Sequence, residues 1–301
     1  MEFTKFNKLW FTISAILIIP GIMAMIAWGL NLGIDFKGGT VTKIEFVKKT
    51  DKTKVQESLK TLKLKDLNIQ SSQNNQYIIR TVTTGDKLDQ QISEALKKSA
   101  GENKIASFEL IGPSISSDLT FKAFEALIFA SLAIIFYLAY AFRKVRKPAN
   151  SWRFGVCAVA ALLHDALFVL GVFAILGHYY GYEINSLFIT AILTIIGFSV
   201  HDTIVVFDRI RENLRLSPSS TFSEIANNSI TQTLARSLNT SLTVLIVLLT
   251  MFLLGGESVK PFVLALLIGI TIGTYSSIFN ATPLLVIWQN ATDKKKQKLA
   301  S

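Results

Sequence analysis

The sequence contains few of the residues that metal, disulfide and nucleotide sites need. One cysteine and three histidines occur among its 301 residues. The single cysteine, Cys157, excludes an intrachain disulfide, and side chains this dispersed form no recognisable metal site. Because no glycine-rich loop follows a predicted strand, the sequence also predicts no nucleotide site. We therefore expect neither a metal nor an organic cofactor.

Acidic residues are absent from the connection 143–153, which holds five basic residues. The whole chain has 31 Lys and Arg against 21 Asp and Glu, a net charge of +10. Further basic residues cluster at 209–215 and 294–298, again beside long apolar segments. This distribution is typical of cytoplasmic loops in membrane proteins. We attribute the charge to topology and expect no nucleic-acid partner.

Apolar segments dominate the chain, since half of its residues are hydrophobic and its mean hydropathy is +0.42. About 20 apolar residues cross the hydrocarbon core as a helix. Six segments reach that length, and we number them spans one to six: 10–30, 124–142, 154–177, 185–207, 237–254 and 261–288. The first begins like a signal peptide, but it is too long and no clear cleavage site follows it, so we interpret it as an uncleaved span.

The charge pattern orders these spans into a multi-pass protein of the cell membrane (plasma or inner membrane) with both termini cytoplasmic. Residues 1–30 form the cytoplasmic N-terminus and span one, and 31–122 form an external domain. Residues 123–290 hold spans two to six with cytoplasmic loops at 143–153 and 208–235. Residues 291–301 form a basic cytoplasmic tail. In the second loop, Thr221-x-x-Glu224 predicts a capping box. It precedes an amphipathic helix that lies at the membrane surface or against the bundle.

The external segment shows the periodicity of a small α+β domain. Alternating and helical patterns predict strands at 41–47, 67–70, 77–82 and 105–111 and helices at 52–62 and 88–98, with a turn at 72–75. The order βαββαβ is the ferredoxin-like split arrangement. The segment has no His and no Cys, so we expect no enzyme active site there.

Ionisable residues inside the spans are the candidate functional residues, because charges in hydrocarbon are costly. Asp202 lies on span four near its cytoplasmic end, and Arg236 opens span five at a matching depth, so the two can meet. Burial favours the neutral carboxyl and a nearby Arg the charged one, which suits reversible proton binding. A static ion pair that fixes helix register is the alternative.

Four further polar residues accompany this pair. Thr240 follows Arg236 by one helical turn and either lines a water file or bonds across helices. His164-Asp165 is a second ionisable pair, near the middle of span three, and either takes part in proton transfer or locks helices together. His201, beside Asp202, either relays protons or is a satisfied hydrogen-bond donor.

Small residues recur at helical spacing on span six. Gly269, Gly273, Ser276 and Asn280 share one face and permit close helix approach. We predict a packing surface there, either internal or for a partner span.

At these residues the chain resembles the SecD/SecF family of the RND-type superfamily, and in particular its smaller member. The match runs in order over nearly the whole chain. Its motifs are Asp35-Phe36-Lys37-Gly38-Gly39-Thr40, Gly112-Pro113-Ser114, Leu163-His164-Asp165, the run from Asp202 to Asn213, Arg236 with Thr240-Ser241 and Gly255-Gly256, and Gly273 to Phe279. The chain departs from the usual pattern at His201, where Asn is common.

The resemblance implies a non-enzymatic accessory subunit of the Sec protein-export machinery. It implies six spans that join six from a SecD-like subunit, and external domains that engage unfolded preprotein while the proton motive force drives their movement. Expected partners are that subunit, the SecY/SecE/SecG channel with its associated factors, preprotein and membrane lipid. By position, Asp202 would bind the proton, Arg236 would be its partner and Thr240 a supporting group.

Three alternatives stay open. The chain is half of another RND-type proton-coupled exporter, or a structural or assembly subunit of the translocase without proton transport, or a membrane enzyme. The sequence shows no site for the last.

Overall fold

The computed structural model describes residues 3–71, 75–85, 87–143, 151–217, 219–256 and 258–300. Six of its helices are long and apolar enough to cross a membrane, which confirms the predicted fold class. The predicted turn residues 72–74 and most of the predicted loop 143–153, namely 144–150, lie outside the described residues. The structure divides into two compact units, of which the smaller comprises Asn31–Ala126 and Tyr180–Leu187.

The smaller unit contains the predicted βαββαβ domain. Its elements, after a short helix α2 (Ile34–Lys37), are β1 (Gly39–Phe46), α3 (Lys52–Lys60), β2 (Asn68–Ser71), β3 (Gln76–Thr81), α4 (Leu88–Ser99) and β4 (Asn103–Ile111). The strands form an antiparallel sheet in the order β2-β3-β1-β4. Ile44, Leu59, Ile79, Ile92 and Leu96 are fully buried between the sheet and the two helices, so one face of the sheet supplies the core.

The glycine pair after α2 has a backbone reason. Gly38 and Gly39 have φ of 72° and 137°, a region that residues with a Cβ rarely enter. A Cβ on Gly39 would lie 2.3 Å from the carbonyl oxygen of Thr81 on the neighbouring strand. This glycine pair therefore lets the chain leave α2 and enter the centre of the sheet.

The spans follow the sequence closely, with longer helices than predicted. They are α1 (Asn7–Trp28), α5 (Pro113–Ala141), α6 (Ser151–Tyr180), α7 (Ser186–Leu216), α8 (Phe222–Leu254) and the sixth, composed of α9 (Lys260–Ser276), a π-helical turn (Ser277–Ala281) and α10 (Thr282–Ala300). Helix α5 begins at Pro113, where proline's fixed φ suits a first helical turn. The end of the segment predicted as external domain is therefore helical and continuous with span two.

The N-terminal extension of span five is the predicted amphipathic helix. The capping box is present, since Thr221 accepts from the Glu224 amide and the Glu224 side chain accepts from the Thr221 amide. Its apolar stripe, which includes Phe222, Ile225 and Ile230, is buried. No break separates it from span five in α8, so it packs as part of the bundle.

Candidate functional site

The stripe of small residues on span six forms an internal packing surface. A Cβ on Gly269 would lie 2.2 Å from Cδ1 of Ile195, and one on Gly273 would lie 3.1 Å from Cβ of Ser199. Both neighbours belong to α7. The absence of side chains at these two positions therefore lets spans four and six approach closely. The close approach places the polar residues of span six beside two carboxyl groups.

The first carboxyl group is that of Asp165, which is fully buried. Its Oδ2 accepts hydrogen bonds from Ser199 Oγ at 2.6 Å and Ser276 Oγ at 2.8 Å. Its Oδ1 lies 2.9 Å from Nδ1 of His164. We call these residues, with Asn280, the Asp165 cluster. They join spans three, four and six.

The cluster continues to span one through Asn280, which lies in the π-helical turn. Its Nδ2 lies 3.0 Å from His164 Nε2, and its Oδ1 accepts from Ser14 Oγ at 2.9 Å. Asn280 thus donates on one side and accepts on the other, which leaves His164 Nδ1 to donate to Asp165. Four spans meet in one continuous hydrogen-bonded chain.

The second carboxyl group is that of Asp202, which is 2% exposed. The hydroxyl-bearing side chains of Ser237, Ser241 and Thr274 surround it. Ser241 Oγ lies 2.6 Å from Thr274 Oγ1. We call these residues the Asp202 cluster, and they join spans four, five and six.

The Asp202 cluster differs from the first in its unused hydrogen-bonding capacity. Asp202 Oδ2 and Ser237 Oγ are both buried, and neither has a hydrogen-bond partner among the residues that the structure describes. Buried polar atoms are usually paired. A buried carboxyl oxygen without a partner therefore lies next to a buried hydroxyl without one, and such an oxygen is free to accept a proton.

Arg236 does not lie beside Asp202 within this chain. Its side chain is exposed, as are those of Thr240 and His201. The Thr240 hydroxyl donates to the carbonyl oxygen of Arg236 on its own helix at 2.9 Å. In the described part of the chain, no ion pair links Arg236 to Asp202. The residues that α8 turns toward Asp202 are Ser237, which is next to Arg236 in the chain, and Ser241.

The motif residues of the smaller unit have structural roles. Asp35 Oδ2 accepts from the backbone amide of Ser186 at 2.7 Å. Gly112 accepts from the amide of Ser116 at 3.0 Å, in the turn that starts α5 at Pro113. Phe36 is half-buried in α2. Within the described residues, no group of three or more His, Cys, Asp or Glu forms a potential metal site.

Comparisons with known proteins agree with this architecture. The family model for the C-terminal part of the SecD/SecF protein-export membrane proteins matches residues 91–291, and the model for the SecD/SecF GG motif matches 29–50. The protein translocase subunit SecF of Thermobaculum terrenum is 43% identical over 96% of this chain and 94% of its own. SecF of Anaerolinea thermophila is 40% identical over 94% and 92%.

A solved structure gives the same fold. The crystal structure of SecDF, a translocon-associated membrane protein from Thermus thermophilus, superposes with a TM-score of 0.84 at 30% identity. It covers 96% of this chain, which in turn spans only 39% of that longer chain. These relatives are protein translocation components rather than catalytic enzymes. With its GG motif, its six spans and its inserted βαββαβ domain, the chain belongs to the SecD/SecF family of protein-export membrane proteins, as a SecF subunit of the protein translocase.

Proposed function

We propose that this subunit works with a SecD-like subunit to convert the proton motive force into preprotein translocation and release. The observation that carries the proposal is the Asp202 cluster. A buried carboxyl group with an unpaired oxygen lies there among hydroxyls of three spans. An ionised carboxylate is costly in hydrocarbon, and a proton removes that cost. Binding and release of one proton therefore alter what holds spans four, five and six together.

The partner half supplies the remainder of the site in this proposal. Charged residues within spans almost always face a bundle interior or a water-filled cavity. Arg236, Thr240 and His201 are exposed in the single chain, so they need a covering surface. We assign that surface to the spans of the SecD-like subunit. Arg236 then contacts Asp202 only in the assembled pair, or in one of its conformations.

His164 and Asp165 enter the proposed pathway as a second titratable pair. Their hydrogen-bonded chain runs from span one to span four, and such chains favour proton transfer between neighbouring groups. The same bonds also hold four spans in register. Asp165 is therefore proposed both to stabilise the bundle and to relay protons, whereas Asp202 binds the coupling proton.

The remaining parts of the proposal follow from topology and charge. Both termini are cytoplasmic and the βαββαβ domain is external, in the cell membrane. There the domain meets unfolded preprotein that emerges from the SecY/SecE/SecG channel, while the apolar outer faces of the spans contact lipid. Protons are the coupling ion, and no cofactor is required.

The available energy is sufficient for a conformational motor. One charge that crosses the membrane yields roughly 2.3 kcal/mol per 100 mV. Since about 1.4 kcal/mol is a factor of ten, this biases a two-state external domain about 40-fold. That is enough to favour one position of a domain that holds preprotein.

The test is preprotein release from membrane vesicles that carry Asp202→Asn, with and without a proton gradient. Co-purification of the SecD-like subunit checks assembly, and Asp208→Asn, at an exposed carboxylate of the same helix, is the matched control. We expect Asp202→Asn to lose only the gradient-dependent component. Unchanged gradient stimulation would remove Asp202 from the proton path.

Two alternatives make different predictions in the same system. If the subunit only assembles the translocase, Asp202→Asn leaves export intact. The fully satisfied Asp165 cluster favours such a structural contribution by that part of the bundle. If the chain is half of another RND-type exporter, its vesicles show proton-coupled efflux of lipid or drug, and preprotein release does not depend on the chain.

A further inference from the structure

The connection between spans three and four is the feature that the proton site does not explain. Helix α6 ends at Tyr180 and α7 begins at Ser186. Gly181 has φ of 70° and turns the chain sharply after α6. Residues Tyr180–Leu187 group with the external domain rather than with the spans that they join. Those two spans carry Asp165 and Asp202.

Backbone hydrogen bonds hold this connection to the segment that precedes the sheet. The Ile184 amide donates to the Asn31 carbonyl, and the Gly33 amide donates to the Ile184 carbonyl, both at 2.8 Å. The two segments form a short parallel β-bridge at Leu32 and Ile184. Asn31 Nδ2 also donates to the Tyr182 carbonyl at 3.2 Å. The connection is therefore paired like a strand and is not a free loop.

Side chains from the sheet hold the same connection. Arg80 Nε lies 3.3 Å from Glu183 Oε2, and Asn68 Nδ2 donates to Glu183 Oε1 at 3.0 Å. Asn68 and Arg80 are directly paired across β2 and β3. They project from the face opposite Ile69 and Ile79, which belong to the core. On that face of the sheet, Asn68 and Arg80 together bind the Glu183 carboxylate.

Asp35 holds the helix that follows the connection. Its carboxylate accepts from the amide of Ser186, the first residue of α7. A carboxylate at a helix N-terminus satisfies an otherwise unpaired amide and complements the helix dipole. The Asp of the D-F-x-G-G motif therefore caps the span that carries Asp202.

We infer that Asp35, Asn68, Arg80 and Glu183 form a clasp that ties the external ends of spans three and four to the external domain, so that movement of these spans is passed to the domain. The four are positioning residues and do not bind protons for transport. The inference rests on the proposed function for the source of the movement. The clasp itself rests on the contacts within the external unit.

The clasp predicts a specific pattern of variants. Arg80→Ala leaves the largely buried Glu183 carboxylate without its cation, a strongly unfavourable situation, so the connection detaches. Glu183→Gln keeps the acceptor for Asn68 and removes the charge, so it is tolerated. The double variant Arg80→Ala/Glu183→Gln is then expected to recover what Arg80→Ala loses. Lys104→Ala, which removes an exposed cation from β4 of the same sheet, is the matched control.

The experiment measures gradient-dependent and gradient-independent preprotein release in vesicles that contain the complete complex. Hydrogen exchange of the amides at 180–187 is followed on the same samples. We expect Arg80→Ala to speed exchange there and to lose the gradient-dependent component only, and we expect the double variant to restore both. A purely structural defect would lower both components of release together, and that result overturns the inference.

Asp202→Asn in the same vesicles separates the two proposals. If Arg80→Ala keeps gradient stimulation while Asp202→Asn loses it, the clasp inference is overturned and the proton site stands. If Arg80→Ala loses stimulation while Asp202→Asn keeps it, the clasp stands and Asp202 is not the proton site. Failure of the double variant to recover also overturns the inference.

Discussion

The two buried aspartates are expected to respond differently to the same substitution. Asp165 makes hydrogen bonds to three side chains, at 2.6, 2.8 and 2.9 Å. Asp202 has an oxygen with no partner in the described chain. Asp165→Asn should therefore weaken the membrane bundle, whereas Asp202→Asn should leave its stability nearly unchanged.

The size of the effect follows from the donors around Asp165. His164 donates to Oδ1, so the amide nitrogen of an asparagine must replace Oδ2 and then faces two hydroxyl donors, Ser199 and Ser276. One or both bonds are lost. A side-chain bond between membrane helices contributes about 0.6 kcal/mol, and a bond to a charged group about 1.5–3 kcal/mol. We expect Asp165→Asn to cost about 1–3 kcal/mol and Asp202→Asn less than about 0.5 kcal/mol.

Reversible unfolding of the purified complex in mixed micelles measures this difference. A cost of about 1.4 kcal/mol changes the folded-to-unfolded ratio about tenfold. Ser199→Ala should have part of the Asp165→Asn effect, and the two changes together should cost less than their sum because they share a bond. Equal destabilisation by the two Asn variants, or a larger cost for Asp202→Asn, would refute the reasoning.

Three further outcomes are expected. Gly269→Ala should destabilise the bundle by about 1–3 kcal/mol through overpacking against Ile195, and Ile195→Ala should recover part of the loss in the same unfolding assay; full stability of the single variant would contradict the packing. Burial raises the pKa of Glu183 above its ordinary value of 4.5, an effect that Arg80 partly offsets. Folding then favours the protonated form, so this contribution to the stability of the smaller unit is fully present below about pH 4.5 and is lost as pH rises through the folded pKa. The protection factors of the sheet amides, which correct exchange rates for their intrinsic pH dependence, should therefore rise on acidification from neutral pH in the wild type, and rise less in Glu183→Gln; identical profiles would refute it. Asp35→Ala should cost about 1 kcal/mol of local stability at the start of α7, seen as faster exchange of the Ser186 amide, and an unchanged rate would exclude the cap.

Local sequence pattern predicted the elements well. Alternation over 41–47 and helical spacing over 88–98 correspond to β1 and α4 within two residues at each end, because side-chain periodicity is a local property. Pro113 indicates where α5 begins, but the prediction of span two relied on the apolar run alone and therefore started too late. The continuity of α8 was likewise readable, since neither Gly nor Pro interrupts 222–254.

The Asp165 and Asp202 clusters were predicted only in part. Asp202 and the pair His164-Asp165 stand out as charges in apolar spans. Ser14 and Asn280, which are 266 positions apart, meet only through the packing of spans one and six. No periodic pattern encodes such a contact, and none predicts the π-helical turn that holds Asn280. The outward direction of Arg236 depends on the rotation of α8 about its axis, which a periodic pattern does not encode.

Span six contacts both buried aspartates, each with a different face of the helix. Thr274 faces Asp202 and Ser276 faces Asp165, and residues two apart point about 200° away from each other on a helix of 3.6 residues per turn. A rotation of this helix that moves Ser276 away from Asp165 also changes the direction in which Thr274 faces Asp202. The hydrogen bonds at the two carboxyl groups therefore both depend on the rotation of this one helix.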